Sequence, residues 1–518
     1  MSADASSTSV PSQPVNVSPT RLADIAARLG VAGLDDAAGD VQVRGVTLSS
    51  TLVSPGDLYA ALPGSRTHGA RFAAEAARAG AVAILTDAAG AQLLGEVSVP
   101  VLLAEQPRRT LGTLAAFVYG APASQMTTIG VTGTHGKTTV TSLMEAGLTR
   151  AGKVNARVGT NGTVIAGHPT SSKLTTPEAP ALHALFAVMR EQGVEVCAME
   201  VSSHALVQGR VDGVVFDLAV FTNLGRDHLD FHPSMDDYFA AKASLFTPER
   251  ARRALLNVDD QHGRRLRDQT TLAVRTFSAS GADADWRAVD VKLRENGADF
   301  TLVTPAGATH AAQVQLPGRF NVANALAALA GLGECGLDLE PVVAGISRHA
   351  GVEGRMERIP TNGATSVVVD YAHKPDAVRA ALEALRPVTR GRLIVVLGAG
   401  GDRDRGKRQL MGEVAARLAD LLVITDDNPR WEDPGTIRAE VRAGAEQLPV
   451  GDRASVREIG DRRAAIAYAL SVAESGDSVL IAGKGHEQGQ EIAGTVHPFD
   501  DRQVVRDVVA GHGEGQRR

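Results

Sequence analysis

Apolar positions along this chain gather into short runs that end on glycine or polar residues. From Leu22 to about Ala104 the runs VQVRGVTL, DLYAAL, AVAILT and VPVLLA read as β-strands, and the alanine-rich stretch Ala70–Ala79 reads as a helix. The segment RRTLGTLAAFVYGAP carries a helical period and stops at Gly120 and Pro122, which predicts a domain boundary near residue 124. Next, MTTIGVTG reads as a buried strand, GTHGKTT as a loop and VTSLMEAGLTRAG as a helix closed by glycine. The runs VEVCAMEV, LAVFTNL and RALLNV continue this pattern, and from about Gly351 a second set follows, TSVVVDYA, RLIVVLGAGG, LLVITDD and SVLIAGKG. Buried strands alternating with helical stretches predict an α/β protein built on parallel sheets with helices on both faces. Ligands of open α/β sheets bind just beyond the carboxyl ends of the strands, so the polar residues that close these runs are where a site is expected.

The chain has 518 residues, too many for one hydrophobic core, since cores stop growing near roughly 250–300 residues; three domains are expected. With 44% hydrophobic and 22% charged residues, it has the apolar content to fold throughout. A net charge of −6 gives no field that would recruit nucleic acid or an anionic membrane, so phosphate recognition has to be local. Cys197 and Cys335 supply neither a disulfide framework nor a four-ligand zinc site, which fits a reducing cytoplasm. Residues 1–20, rich in Ser, Thr and Pro, read as a mobile tail without a secretory core, and GHGEGQRR at the other end reads as frayed. No uninterrupted apolar stretch of about 18 residues occurs, so no membrane span is expected.

The loop Gly133-Thr134-His135-Gly136-Lys137-Thr138-Thr139 carries the candidate chemistry. Its glycines let backbone approach phosphate, Lys137 suits the outer phosphates of a nucleotide, and the Thr138 hydroxyl suits magnesium. Val131 stands where the general P-loop pattern has its first glycine, so the match is imperfect. Glu200 ends a later strand with a carboxylate of the kind Mg²⁺ prefers, and His228 follows the next strand in FTNLGRDHLD. Histidine is a poor Mg²⁺ partner, and at a strand end it is more often structural.

The ordered segments GVTGTHGKTT, TTPE, MEVSSHAL, FTNLGRDHLD, LPGRFNVANALAA, DYAHKPDA, GAGGDRDRGKR and DNPR resemble the Mur ligases over nearly the whole chain, and most of all the members that add meso-diaminopimelate. The resemblance implies a three-domain architecture: an N-terminal UDP-sugar-binding domain (21–124), a central P-loop ATPase-like parallel sheet (125–350) and a C-terminal Rossmann-like domain for the amino acid (351–518). It implies an ATP-dependent ligase that activates the D-Glu carboxylate of UDP-N-acetylmuramoyl-L-Ala-D-Glu as an acyl phosphate and joins it to meso-diaminopimelate. Mg²⁺ is the implied cofactor, and a cytoplasmic monomer is expected.

By the same resemblance, Lys137, Glu200, His228 and Lys242 are catalytic, with Thr138, Glu200, His228 and Lys242, the last as a carbamate, around the metal. ATP falls to Thr132, Gly133, Thr134, His135, Gly136, Lys137 and Thr138, with Asn324, Asp370, Tyr371 and His373 meeting adenine and ribose. The muramyl dipeptide nucleotide falls to Ser50, Thr175, Thr176, Ser202, Gln208 and Arg210; Ser50 lies in Ser49-Ser50-Thr51, where related chains have Asp-Ser-Arg. The amino acid falls to Arg403, Asp427, Asn428, Pro429, Arg430, Gly483 and Glu487. Arg430 is the fixed cation for the distal carboxylate, since guanidinium binds carboxylate in a bidentate fork. An L-lysine-adding ligase, a folylpolyglutamate-synthetase-like enzyme and a nucleotide-gated regulatory ATPase are the alternatives. The glycines Gly351 and Gly354 are candidate hinges.

Overall fold

The computed structural model describes residues 13–31, 34–64, 67–170, 174–361, 365–402 and 404–515, without the side chains of 511–515. Its first unit is a four-stranded parallel sheet, in the order Gly45–Thr47, Asp57–Ala60, Ala83–Thr86, Val101–Leu103. The helix Pro107–Val118 closes it, starting on Pro107, whose missing N–H costs nothing in a first turn. Of the expected mobile tail, residues 1–12 lie outside the described residues, and the part that follows is tied down. The backbone N–H groups of Val15 and Asn16 donate to the Glu191 carboxylate at 3.0 and 2.6 Å.

The second unit is an eleven-stranded sheet. Its parallel centre runs Asn155–Gly159, Val196–Glu200, Thr127–Thr132, Leu218–Phe221, Arg253–Asn257, Ala273–Ser278, Trp286–Arg294. Antiparallel strands extend both edges, so the sheet is mixed rather than purely parallel. The expected central strands are present, and Val196–Glu200 and Leu218–Phe221 flank Thr127–Thr132, which brings Glu200 and the segment after Phe221 to the same sheet end as the glycine loop. Helix Lys137–Arg150 begins three residues earlier than its apolar pattern, because Gly136 turns the chain at φ +88° and the Thr pair that follows hides the start. Val140, Leu143, Met144 and Leu148 of that helix are buried in the core, and full burial of a side chain of this size contributes about 1.5–3 kcal/mol.

The third unit has the order Glu357–Ile359, Ser366–Asp370, Ser478–Ala482, Leu393–Leu397, Leu421–Ile424, Ser455–Glu458, parallel after its first strand. The strands Ser366–Asp370, Leu393–Leu397, Leu421–Ile424 and Ser478–Ala482 are those the apolar runs predict. The last helix, Asp501–Gly515, continues into the segment expected to fray. Of the two hinge candidates, Gly354 is packed in place, since a Cβ there would lie 2.1 Å from the His486 backbone nitrogen.

Candidate active site

The carboxyl ends of the central and C-terminal sheets face one cavity of about 790 Å³. The glycine loop forms one wall. A Cβ on Gly133 would lie 1.9 Å from the Thr222 hydroxyl, and one on Gly136 would lie 2.3 Å from Asn324 Oδ1, so both positions demand glycine. The first turn of helix Lys137–Arg150 leaves backbone N–H groups without intrahelical partners beside the cavity. Lys137 Nζ folds back and donates to Gly133 O at 2.7 Å and Thr134 O at 3.2 Å. Lys242 Nζ, almost wholly buried, donates to the same Gly133 carbonyl at 2.8 Å and sits 4.6 Å from the Tyr238 ring centre.

Two lysines converge on one carbonyl in a buried, cation-rich corner. Burial first, with Lys374 opposing and Glu200 assisting the charged form, lowers the Lys137 pKa to about 8. Burial and then the neighbouring Lys137 push Lys242 well below the ordinary lysine range. His135, buried between Lys374 and Lys137, is held near 3 and is neutral. Its Nε2 is a buried atom without a hydrogen-bond partner among the described residues.

Glu200 is buried and accepts from Thr160 N at 2.8 Å and Thr160 Oγ1 at 3.1 Å. His228 has φ +53°, and its Nε2 lies 2.8 Å from Asp227 Oδ2. Asp227 also pairs with Lys374, so one carboxylate ties the central unit to the C-terminal one. Arg355 Nη2 reaches the Thr138 hydroxyl at 3.5 Å across the same junction. Among the described residues no three His, Cys, Asp or Glu side chains gather as a metal-binding group. The Glu200 carboxylate and the Thr138 hydroxyl are oxygens on the cavity wall beside the glycine loop, and such a sparse oxygen set suits Mg²⁺, an ion usually held by one or two carboxylates plus substrate phosphates.

Further along the cavity, Thr176 Oγ1 donates to the Glu200 carbonyl, Ser202 caps the helix Ser203–Val207, and Arg210 pairs with Glu178 at 3.0 Å. Thr175, Thr176, Ser202 and Arg210 line the cavity; Gln208 does not, and Ser50 sits in the N-terminal unit at the start of a short 3₁₀ turn. Thr132, Gly133 and Lys242 lie behind the cavity wall rather than on it. Asn324 and Asp370 are on the wall, and Asp370 Oδ2 accepts from the Met356 backbone N–H at 2.7 Å.

The opposite end is built on the segment after Ile424. Asp427, Asn428, Arg430, Gly483 and Glu487 line it, Pro429 contributes backbone only to the turn, and Arg403 lies outside the described residues. Arg430 takes φ +54°, and its Nη1 donates to Gly401 O at 2.6 Å while Nε lies 3.3 Å from Glu491. Asn428 Nδ2 donates to Glu487 at 2.9 Å, and burial, then Asp427, raises the Glu487 pKa.

Four further basic residues at the site, Lys374, Arg355, Lys407 and Lys484, are not singled out by the sequence motifs. Lys484, fully buried, donates to Asn428 Oδ1 at 2.8 Å and lies 3.5 Å from Asp427. Lys407 lines the cavity with no ion-pair or hydrogen-bond partner among the described residues, and burial followed by Lys374 lowers its pKa. Lys374, Lys407 and Lys484 stand inside the segments DYAHKPDA, GAGGDRDRGKR and SVLIAGKG, and only the tertiary structure shows which lysines turn inward.

Residues 42–119 match the Mur ligase family catalytic domain, 131–332 the Mur ligase middle domain and 354–485 the Mur ligase glutamate ligase domain. A Streptomyces coelicolor protein named UDP-N-acetylmuramoyl-L-alanyl-D-glutamate–2,6-diaminopimelate ligase is 52% identical over 500 residues, covering 96% of this chain and 98% of that one. A solved structure of a protein with the same name is 33% identical with a TM-score of 0.67, covering 96% of this chain and all of that one. The MurF ligase from Thermotoga maritima, solved in complex with ADP, shares the fold at a TM-score of 0.64 and 20% identity, covering 93% of this chain and 100% of that one.

Proposed function

This chain belongs to the Mur ligase family, and from that premise we propose that it adds meso-diaminopimelate to UDP-N-acetylmuramoyl-L-Ala-D-Glu at the expense of ATP. One observation carries the reading: the phosphate loop around Lys137 and the guanidinium of Arg430, on separate sheets, border a single cavity.

The terminal phosphoryl group of ATP passes to the D-Glu carboxylate, forming a P–O bond to the substrate as the bond to ADP breaks. The amine nitrogen then bonds to the acyl carbon and inorganic phosphate leaves. Phosphoryl transfer needs mainly positioning and neutralisation of charge. Lys137, the amides at the start of its helix, and Lys374 and Arg355 from the facing domain supply cations and donors at the loop. Glu200 and the Thr138 hydroxyl are the groups that would hold Mg²⁺, which supplies charge neutralisation between the phosphates when bound. Lys242 suits the carbamate reading, because CO₂ adds to a neutral amine and its surroundings favour that form. At the far end, Arg430 faces the distal carboxylate of the diamino acid and Glu487 its ammonium. A pocket built around such a pair rejects L-lysine, which leaves the guanidinium unpaired.

The test is phosphate release with the muramyl dipeptide nucleotide and ATP, offered meso-diaminopimelate, L-lysine or L-ornithine. Release only with diaminopimelate supports the assignment. Faster release with lysine overturns the amine, and steady release without any amine points to a regulatory ATPase.

A further inference from the structure

The hairpin made by Gly489–Ile492 and Thr495–Pro498 lies outside the six-stranded sheet and gives no residue to the cavity wall. Its first strand and turn are nevertheless bonded to the loop after Ile424 almost residue by residue. Gln490 Nε2 donates to Asp427 O at 2.7 Å, and the Glu491 N–H to Asn428 Oδ1 at 3.0 Å. The Arg430 N–H donates to Glu491 O at 3.0 Å, and the Ala493 N–H returns to Arg430 O at 2.6 Å. At the turn, the Trp431 ring lies against Gly494, where a Cβ would come within 2.4 Å of it.

This matters because Arg430 is not held by its own preferences. Its φ of +54° is one that a non-glycine residue keeps only when its surroundings impose it. The two backbone bonds from the hairpin bracket Arg430 on both sides. The guanidinium is fixed as well: Glu491 sits at Nε and the Gly401 carbonyl at Nη1. That leaves Nη2 and the second Nη1 hydrogen, the outer edge of the fork, for a bidentate partner.

We propose that this hairpin is a splint that sets amine specificity, with Glu491 as the positioning residue whose oxygen at Nε turns the outer edge of Arg430 toward the substrate's distal carboxylate. The proposal rests on the reading of Arg430 as the carboxylate-binding group. It assigns Glu491 no contact with substrate. What Glu491 supplies is the carboxylate of an ion pair at Nε, so a neutral amide in the same place serves only in part.

Steady-state kinetics on the full chain test it. Glu491→Ala is expected to raise the KM for diaminopimelate about three- to tenfold, the scale of one partly exposed ion pair that orients the binding group, with kcat and the KM for ATP within about twofold. Glu491→Gln keeps the side chain's length and one oxygen but not the charge, and is expected to give a KM between those of the parent and Glu491→Ala. Gly494→Val, on the surface, drives a side chain into the Trp431 ring and is expected to raise the same KM alone. Arg430→Ala is measured alongside. If it leaves the KM for diaminopimelate unchanged, the carboxylate reading of Arg430 fails. If Arg430→Ala raises that KM while Glu491→Ala and Gly494→Val do not, the splint fails and the carboxylate reading stands. A general loss across kcat and all KM values, or no recovery in Glu491→Gln, makes the hairpin an ordinary structural prop and overturns the proposal.

Discussion

Replacing Lys137 with methionine is expected to destroy activity while making the ligand-free protein harder to unfold. With no anion bound, the ammonium is buried next to other cations, and its pKa falls from 10.5 to about 8. That shift corresponds to about 3 kcal/mol of destabilisation when the group is charged in both folded and unfolded states. Methionine fills similar space without charge. Of the two carbonyls that lose a donor, Gly133 O keeps Lys242, so the offsetting loss is about one hydrogen bond, or roughly 1 kcal/mol at Thr134 O. The net gain is about 1–2 kcal/mol, a rise of about 2–8 °C in Tm for a domain of this size. The sign with pH follows from the lowered folded pKa. The cost in the parent is complete below about 8 and is relieved as pH climbs toward 10.5, so the gap between variant and parent closes over that window. Trp286 makes this measurable, because it is buried in the central domain with its indole N–H on Glu334 at 2.8 Å, while Trp431 is 74% exposed and can be changed to Phe. ATP should raise the Tm of the parent and leave the variant unmoved. A variant that melts below the parent at pH 7, or a gap that widens with pH, would refute the electrostatic account of this loop.

Arg430→Lys should raise the KM for diaminopimelate by about 10- to 100-fold, since an ammonium cannot reproduce the fork, with the KM for ATP unchanged; equal effects on both substrates would remove Arg430 from the amine pocket. Protein incubated with ¹³C-bicarbonate should show a carbamate resonance that Lys242→Met lacks, and an identical spectrum from the two proteins would rule out the modification. Asp227→Asn removes the partner of Lys374 at a site where both side chains are 11% exposed, and breaking such a buried pair costs about 3–5 kcal/mol. Its expected signature is a larger radius of gyration by small-angle X-ray scattering, and an unchanged profile would mean that this pair does not hold the domains together. Burial pushes both thiols up to about 12, so neither Cys197 nor Cys335 should react promptly with a disulfide reagent at pH 8 unless the chain is unfolded.

Most of the buried parallel strands were legible because a strand covered on both faces must be apolar along its whole length, and TTIGV, VCAME, LAVF, VVVD and LIVVL satisfy that locally. The strands Gly297–Val303 and Thr309–Val314 escaped notice because buried positions alternate along them with less buried ones, several of them polar. Helix Lys137–Arg150 was found, but its first turn was not, since the turn is set by Gly136 and by the close fit to Asn324 rather than by propensity.

The chemistry divides in the same way. The sequence alone determined which groups are available: a lysine behind two glycines, a carboxylate closing a strand, an arginine closing Asp-Asn-Pro. Only the tertiary structure decided which of them share a space and in what charge state. Lys137 and Lys242 are 105 positions apart yet meet on one carbonyl, and Arg430 owes its backbone angle to a hairpin some sixty residues later in the chain. Proximity of that kind comes from strand order and domain docking, and so does the dehydration that shifts a lysine's pKa; no local window of sequence contains either.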